Sequence, residues 1–273
     1  MPGGWKQAII VPLLKKKKDA SLPGSYRPVA LTPTVAKLME RVVQKRLECV
    51  LEETIEGISK LAKDQAGFRR GRTPIEQITR LAQYVDDGFA TKPANARHTN
   101  AKTKTLMVLV DFSRAYDRVW KDGLLAKMLK LGIPPHMAKW LQMFLAQRQA
   151  KVRINGVAGR FHHFAEGLPQ GSVLSPVLFL IFINDLREAL GDDVVCSLFA
   201  DDLALAVQGA TVEECEKKMQ PALDKLMKWA DENKMEVAFD KMVEILFSCN
   251  SAEGGGESTP QPHVARQGLA AHR

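Results

Sequence analysis

The run Leu106–Val110 is apolar and partly β-branched and stops at Asp111, and two further apolar runs, Val194–Ala200 and Leu203–Gln208, meet at Asp201-Asp202. Short apolar runs of this kind read as buried strands, the second pair as a hairpin. An apolar strand that ends on an acid delivers a hard oxygen ligand to the edge of a sheet. Two such tips side by side gather three carboxylates, and their repulsion is costly until a divalent cation neutralises it. Mg²⁺ favours one or two carboxylates together with substrate phosphates. That is the setting of two-metal phosphoryl transfer, with ions roughly 4 Å apart. Taken alone, Asp-Asp is an ordinary polar turn and Asp111 an ordinary helix cap, since Asp suits both. The rest of the chain decides between these readings.

From Leu106 the pattern runs strand, helix, hairpin, helix, hairpin, helix, strand. Asp122 is placed to cap a helix over Gly123–Leu131 that stops at Gly132, and Pro134-Pro135 opens another that reaches about Arg148. Asn155-Gly156, between Lys151–Ile154 and Val157–Phe164, is a hairpin signal. Pro176–Leu190 is apolar on nearly all sides and reads as one buried helix. Thr211-x-x-Glu214 is a capping box, opening a helix that runs to about Asn233 with a kink expected at Pro221. Glu236–Phe239 and Val243–Ser248 are the last expected strands. The core is thus an α+β, split β-α-β arrangement, an antiparallel sheet backed by helices.

Upstream, Ala8–Leu14 is a short strand candidate followed by a lysine loop, Lys15–Lys18. Residues 35–90 read mostly as helix, with a break at Gly57. Val35, Leu38, Met39, Val42, Val43 and Leu47 are spaced as the buried face of one such helix. Residues 91–104 hold almost no large apolar group and read as an exposed loop. From about Ser251 the composition collapses into Gly, Ser, Pro, Gln and Ala, which predicts a disordered tail. These shifts divide the chain into 1–104, 105–250 and a tail over 251–273.

Hydrophobic residues form 45% of the 273, enough for a sizeable core, and the formal charge of +8 suits a polyanionic partner. The four cysteines, Cys49, Cys196, Cys215 and Cys249, form no C-x-x-C pair, so neither a zinc site nor a redox motif is indicated. The longest apolar run, near Val173–Leu186, is interrupted by Ser175, Pro176, Asn184 and Asp185, too short and too polar to span a membrane. No secretory signal is in view.

Against this background several segments fit one family. Asp111-Phe112-Ser113-Arg114-Ala115-Tyr116-Asp117, Gly167-Leu168-Pro169-Gln170-Gly171-Ser172-Val173-Leu174-Ser175-Pro176 and Phe199-Ala200-Asp201-Asp202 resemble the three palm motifs of reverse transcriptases, the last in the form used by non-LTR elements and group II intron proteins. Tyr26-Arg27-Pro28-Val29-Ala30-Leu31, then Lys37 and Glu40, and Gln65-Ala66-Gly67-Phe68-Arg69-Arg70-Gly71-Arg72 resemble the fingers motifs of non-LTR elements. The motifs keep family order over about residues 5–249. The chain therefore resembles the fingers and palm of a non-LTR (LINE-type) retrotransposon reverse transcriptase.

The resemblance implies a right-hand polymerase fold, with helical fingers at 1–104 and a palm at 105–250. No segment resembles a thumb, an endonuclease, an RNase H or a zinc knuckle, so the chain reads as an incomplete copy. The implied activity is RNA-directed DNA polymerisation on an RNA template and DNA primer with dNTPs and two Mg²⁺ ions, or Mn²⁺ in their place. Asp111 and Asp201 would be the main metal ligands, supported by Asp202. Tyr116, where non-LTR elements more often have Phe, would be the steric gate against a ribonucleotide 2′-OH, and Phe112 of the same motif would also bind the nucleotide. Gln170 and Gly171 would meet the nucleotide, with Gly167 bracketing that loop beside the template. Arg27 and Lys37 would grip the triphosphate, and Arg69, Arg70 and Arg72 the template backbone. Lys241 falls where the fourth palm motif places a lysine, a general acid for leaving pyrophosphate, although Met242 and Val243 depart from the usual residues after it. A catalytically dead remnant that only binds nucleic acid is the alternative. A group II intron protein and an RNA-dependent RNA polymerase fit less well, given Gly67–Arg72 and Tyr116. The family implies an intracellular, nuclear setting and no membrane partner, and no protein partner is indicated.

Overall fold

The computed structural model describes residues 2–52, 59–91, 103–248 and the backbone of Gln261–Ala265. The break expected at Gly57 and nearly all of the loop expected at 91–104 lie outside the described residues. In chain order the elements are β1 (Gln7–Leu14), β2 (Tyr26–Leu31), α1 (Thr34–Glu52), α2 (Pro74–Ala90), β3 (Lys104–Val110), α3 (Lys121–Lys130), α4 (Pro135–Leu145) and β4 (Gln149–Ile154). There follow β5 (Val157–Ala158), β6 (His162–His163), α5 (Ser175–Ile183), α6 (Leu186–Leu190), β7 (Val195–Phe199), β8 (Asp202–Gly209), α7 (Val212–Glu232), β9 (Val243–Ser248) and β10 (Gln261–Ala265). They form two units interleaved in sequence, Met1–Leu61 with Arg114–Ile183, and Ala62–Ser113 with Asn184–Arg273. No helix among the described residues is long and apolar enough to cross a membrane.

The first unit carries a mixed sheet ordered β2-β1-β4-β5, with β6 also on β4. β1 pairs antiparallel with β2 and parallel with β4, and the small residues Ala8, Ala30 and Ala150 pack together on it. Asn155 and Gly156 both have positive φ, as the tight turn between β4 and β5 requires. Beside the sheet, α3 packs on α4 and α5, and Leu124, Met128, Leu141, Phe144, Phe179 and Phe182 are fully buried. Asp122 does not cap α3. The N-cap position is Trp120, and the carboxylate of Glu166 accepts from the Lys121 backbone N–H at 3.1 Å instead.

The buried face of α1 differs from the one its apolar spacing predicts. Ala36, Glu40, Leu47 and Leu51 are buried, whereas Val35 and Leu38 are 60% and 63% exposed. Positions 36, 40, 47 and 51 lie within one narrow helical stripe at 100° per residue. The helix is thus rotated so that a carboxylate, not the valine and leucine stripe, faces inward.

The second unit holds an antiparallel sheet ordered β10-β9-β3-β8-β7. Leu106 pairs with Val207, Val108 with Leu205 and Val110 with Leu203, so these six side chains share one face. Met107 and Ala206 point the other way, where Val85 and Leu81 of α2 cover them. α7 packs on β3 and β8. Thr211 caps it as expected, accepting from the Glu214 N–H, while the Glu214 carboxylate reaches one residue past the cap and accepts from the Ala210 N–H at 2.8 Å. The helix runs unbroken through Pro221.

Three expectations change in this unit. The helix expected over Pro176–Leu190 is two helices, because Asn184 and Asp185 are drawn off into bonds with the Ala62 N–H (2.7 Å) and the Trp229 indole (2.9 Å). Glu236–Phe239 is no strand, touching the sheet only through a bridge between Val237 and Phe112 before a 3₁₀ turn at Phe239–Lys241. Within the tail expected to be disordered, Gln261–Ala265 is a strand on β9, while the rest of 251–273 lies outside the described residues.

Candidate active site

The acids converge because the ladder between β3 and β8 is in register. Val110 opposes Leu203, so the next step brings Asp111 against Asp202, and Asp201 sits on the tip that joins β7 to β8. The backbone after β3 is held from a second side. Asp111 accepts from the Ala238 N–H at 2.8 Å, and Ser113 donates its N–H to Glu236 at 2.7 Å. The turn after Ala238 then carries Lys241 back to the acids, where its Nζ donates to Asp111 Oδ2 at 2.6 Å.

Electrostatics agree with this geometry. Burial raises the pKa of Asp201, and the neighbouring charges of Asp202 and Asp111 raise it further, against a backbone hydrogen bond and Lys241. Burial and Asp111 raise that of Asp202. The hydrogen bond to Asp111 raises the pKa of Lys241 and keeps it a cation. Among the described residues no three acidic, His or Cys side chains close into a ready-made metal cage. Mutually repelling oxygen donors at a sheet edge nonetheless fit a hard divalent cation that completes its shell with substrate oxygens.

In the same unit Phe112 is 2% exposed and packs edge-to-face on Trp229, centroids 6.0 Å apart. Its ring therefore belongs to the core of this unit. The basic loop is also more structural than its composition suggests. Arg69 Nη1 donates to the carbonyls of Ala62 (2.8 Å) and Gln65 (3.1 Å), and Arg72 pairs with Glu76 one turn along. Arg70 is exposed and forms no ion pair among the described residues.

In the first unit the loop over 167–171 is tied to two neighbours. The Leu168 N–H donates to the Tyr116 carbonyl at 2.7 Å, the Gln170 side chain to Asp117 at 3.0 Å, and the Ala30 N–H to the Gln170 carbonyl at 2.8 Å. Gly167 and Gly171 have φ of +83° and +104°, and a Cβ on either would lie within 2.7 Å of the Asp117 or Ala30 carbonyl oxygen. The approach is therefore reserved for glycine. Tyr116 stacks on Phe179 with centroids 4.8 Å apart, which stiffens its ring. A cavity of about 210 Å³ opens here, lined in part by Pro28, Ala30, Asp117, Lys121, Arg148 and Gln170. Arg27 is exposed on β2 and Lys37 half-buried on α1, and neither side chain has a partner among the described residues.

Glu40 and Gln65 are assigned no role from sequence, yet each holds one of these loops. Glu40 Oε2, fully buried, accepts from Ser172 Oγ (2.5 Å) and from the N–H groups of Val173 (2.7 Å) and Leu174 (3.3 Å). It closes the loop onto the start of α5, where free amides favour an anion. Gln65 bonds to Ala200, next to Asp201. Both stand in the fingers motifs, but the motifs do not disclose these tasks, because Ser172 and Ala200 lie more than a hundred positions away.

The model of the reverse transcriptase (RNA-dependent DNA polymerase) family matches residues 14–264. A probable RNA-directed DNA polymerase from transposon BS of Drosophila melanogaster is 31% identical over 253 residues, 90% of this chain and 26% of that protein. The RNA-directed DNA polymerase from the mobile element jockey of the same species is 29% identical over 94% of this chain and 27% of its own length. The chain thus spans about a quarter of these relatives. Among solved structures, apo telomerase from Candida tropicalis superposes with a TM-score of 0.61 at 13% identity, over 89% of this chain and 45% of that one. Telomerase from Candida albicans, in complex with a TWJ fragment of telomeric RNA, gives 0.58 at 12% identity over 94% of this chain and 44% of that one. Both carry the right-hand polymerase fold, and a family match over most of the chain, with its acids on two adjoining strand ends, places it in the reverse transcriptase family, on the non-LTR retrotransposon branch.

Proposed function

We propose that this chain is an RNA-directed DNA polymerase that extends a DNA primer 3′-OH on an RNA template with dNTPs. The observation that carries this reading is the register that sets Asp111 beside the Asp201-Asp202 tip. Asp111 and Asp201, assisted by Asp202, would hold two Mg²⁺ ions, with Mn²⁺ able to replace them. Bound there, the metal supplies charge stabilisation at the attacking and leaving oxygens. Phosphoryl transfer asks for little covalent chemistry from the protein, so its work is positioning and electrostatics.

The roles of the side chains follow from what each touches. The hydrogen-bonded segments around Asp111 fix that carboxylate before substrate arrives. Lys241 neutralises Asp111 and keeps a proton available for the leaving pyrophosphate. In the first unit the cations Arg27 and Lys37, without a partner among the described residues, suit a triphosphate. The stacked ring of Tyr116 suits exclusion of a 2′-OH, and Gln170 suits contact with template or incoming nucleotide. Arg70 is the cation of the basic loop that suits a template phosphate.

The test is dNTP incorporation on a primed RNA template with Mg²⁺, wild type against Asp201→Asn. Incorporation by wild type that is lost in the variant is the expected result. No incorporation by either, with both folded and binding template in a salt-sensitive manner, overturns the polymerase reading. It would leave a dead remnant whose +8 charge still binds nucleic acid.

A further inference from the structure

β7 is the edge strand of its sheet, and the tip it leads to is poorly specified by the ladder alone. Phe199 and Asp202 are the last pair, leaving Ala200 and Asp201 outside it. Ala200 has φ of +59°, a conformation that a residue with a Cβ adopts only when its surroundings impose it. What surrounds it is the segment Asp64–Gly67. The Leu198 N–H donates to the Asp64 carbonyl and the Ala66 N–H to the Leu198 carbonyl, both at 2.9 Å, which covers the free edge of β7.

One side chain then reaches the tip. The amide of Gln65, 2% exposed, accepts from the Ala200 N–H at 2.9 Å and donates to the Ala200 carbonyl at 3.2 Å. The same Oε1 also accepts from the Gly67 N–H at 2.8 Å, which orients the amide. Gly67 itself lies so close that a Cβ there would fall 2.2 Å from the Ala200 nitrogen. A primary amide is the group this task needs: it offers an acceptor and a donor to the N–H and C=O of one residue, as a strand partner would.

We infer that Gln65 is a positioning residue for the reaction proposed above, fixing the backbone of Ala200 by a two-point amide clamp and so setting where Asp201 presents its carboxylate, with Gly67 the neighbour whose missing side chain lets the clamp close. The inference rests on that polymerase reading for its effect on turnover, while the clamp itself can be tested without it. A second buried glutamine supplies the control. Gln77 accepts from Ser197 Oγ at 2.6 Å, on the same strand but inside the ladder. It shares the chemistry and burial of Gln65 and differs in distance from the tip.

The experiment compares wild type, Gln65→Met, Gln65→Asn and Gln77→Met by thermal unfolding, by amide hydrogen exchange and by steady-state dNTP incorporation. In wild type the Ala200 N–H, which has only a side-chain acceptor, is expected to exchange as slowly as ladder amides of β8. In Gln65→Met that protection is lost while Leu205 keeps its own. Turnover should fall about 100-fold with the KM for primed template within about twofold, the scale for a reacting group displaced by about 1 Å. Gln65→Asn, whose amide is one methylene short, should fall between. Gln77→Met should lower the melting temperature as much as Gln65→Met does but leave turnover near wild type. Rapid Ala200 exchange in wild type overturns the inference even if no variant folds. Parallel loss of turnover and stability in both Met variants overturns it too. Wild type that incorporates nothing refutes the polymerase reading alone, because exchange at Ala200 still decides the clamp.

Discussion

Replacing Glu40 by Ala removes a carboxylate from the interior of the first unit and leaves four groups without it. The Ser172 hydroxyl and the Val173 N–H lose bonds of 2.5 and 2.7 Å, and the Leu174 N–H loses a weaker one of 3.3 Å. Arg148 is 3% exposed, its pKa lowered by burial and held up by the charge of Glu40. Hydrogen bonds to a charged group contribute about 1.5–3 kcal/mol each, and the charge of Glu40 also stabilises the Arg148 cation without forming an ion pair with it. These contributions overlap, since the same charge makes both, so the expected loss is about 4 kcal/mol. Urea unfolding followed by far-UV circular dichroism measures it. Glu40→Gln keeps an oxygen acceptor without the charge and should lose roughly half as much. Combining Glu40→Ala with Arg148→Met should cost less than the two changes added, because the second removes the charge stranded by the first. A loss under about 1 kcal/mol for Glu40→Ala, or strict additivity in the double variant, would refute the account of Glu40 as a buried brace.

Further outcomes follow from other sites. Asp201→Asn removes one of three repelling carboxylates, so without divalent cation its melting temperature should exceed that of wild type, and added Mg²⁺ should raise wild type more than the variant. Burial, then the nearby charge of Asp64, pushes the Cys196 thiol up to about 12 from 9.0. Folded protein therefore holds this proton more tightly than the unfolded chain, and the stability involved is complete below pH 9 and lost as pH rises towards 12. The loss is about 1.4 kcal/mol per pH unit, and Cys196→Ala should flatten alkaline unfolding between pH 9 and 11. Arg69→Ala should cost about 1–2 kcal/mol through its two carbonyl bonds in denaturant titrations. Arg70→Ala should instead leave stability unchanged and weaken template binding in a salt-dependent manner.

The strands were legible where alternation and burial agree, as in Leu106–Val110 against Leu203–Val207, and so were local devices such as Asn155-Gly156 and the Thr211–Glu214 box. Each depends on residues within a few positions of one another. The rotation of α1 was not legible, because apolar spacing points Val35 and Leu38 inward while the helix is oriented by what Glu40 bonds. The break between α5 and α6 failed for a similar reason. Asn184 and Asp185 act on Ala62 and Trp229, far away in sequence. Lys241 was placed by resemblance despite its atypical neighbours, and it reaches Asp111. The arginines of the basic loop were read as contacts to the template backbone, and two of the three bond within their own loop and the helix that follows it.

The two motif residues whose roles the sequence did not disclose share a physical task. A β-ladder specifies strands residue by residue, but it stops before Ala200 and Asp201. A helix specifies its interior, but the amides that lead into it, here those of Val173 and Leu174 just before α5, have no partner within it. Chemistry is carried on such ends because only there can a carboxylate or a backbone group face substrate. The ends must still be rigid, and secondary structure cannot make them so. In each unit the missing bonds come from one buried polar side chain, Glu40 for the start of α5 and Gln65 for the tip before Asp201. Burial makes these bonds strong and their loss costly, which suits them to hold a site rigid. A polar residue buried beside a chain terminus of regular structure is therefore the feature to seek in related folds, ahead of exposed charge.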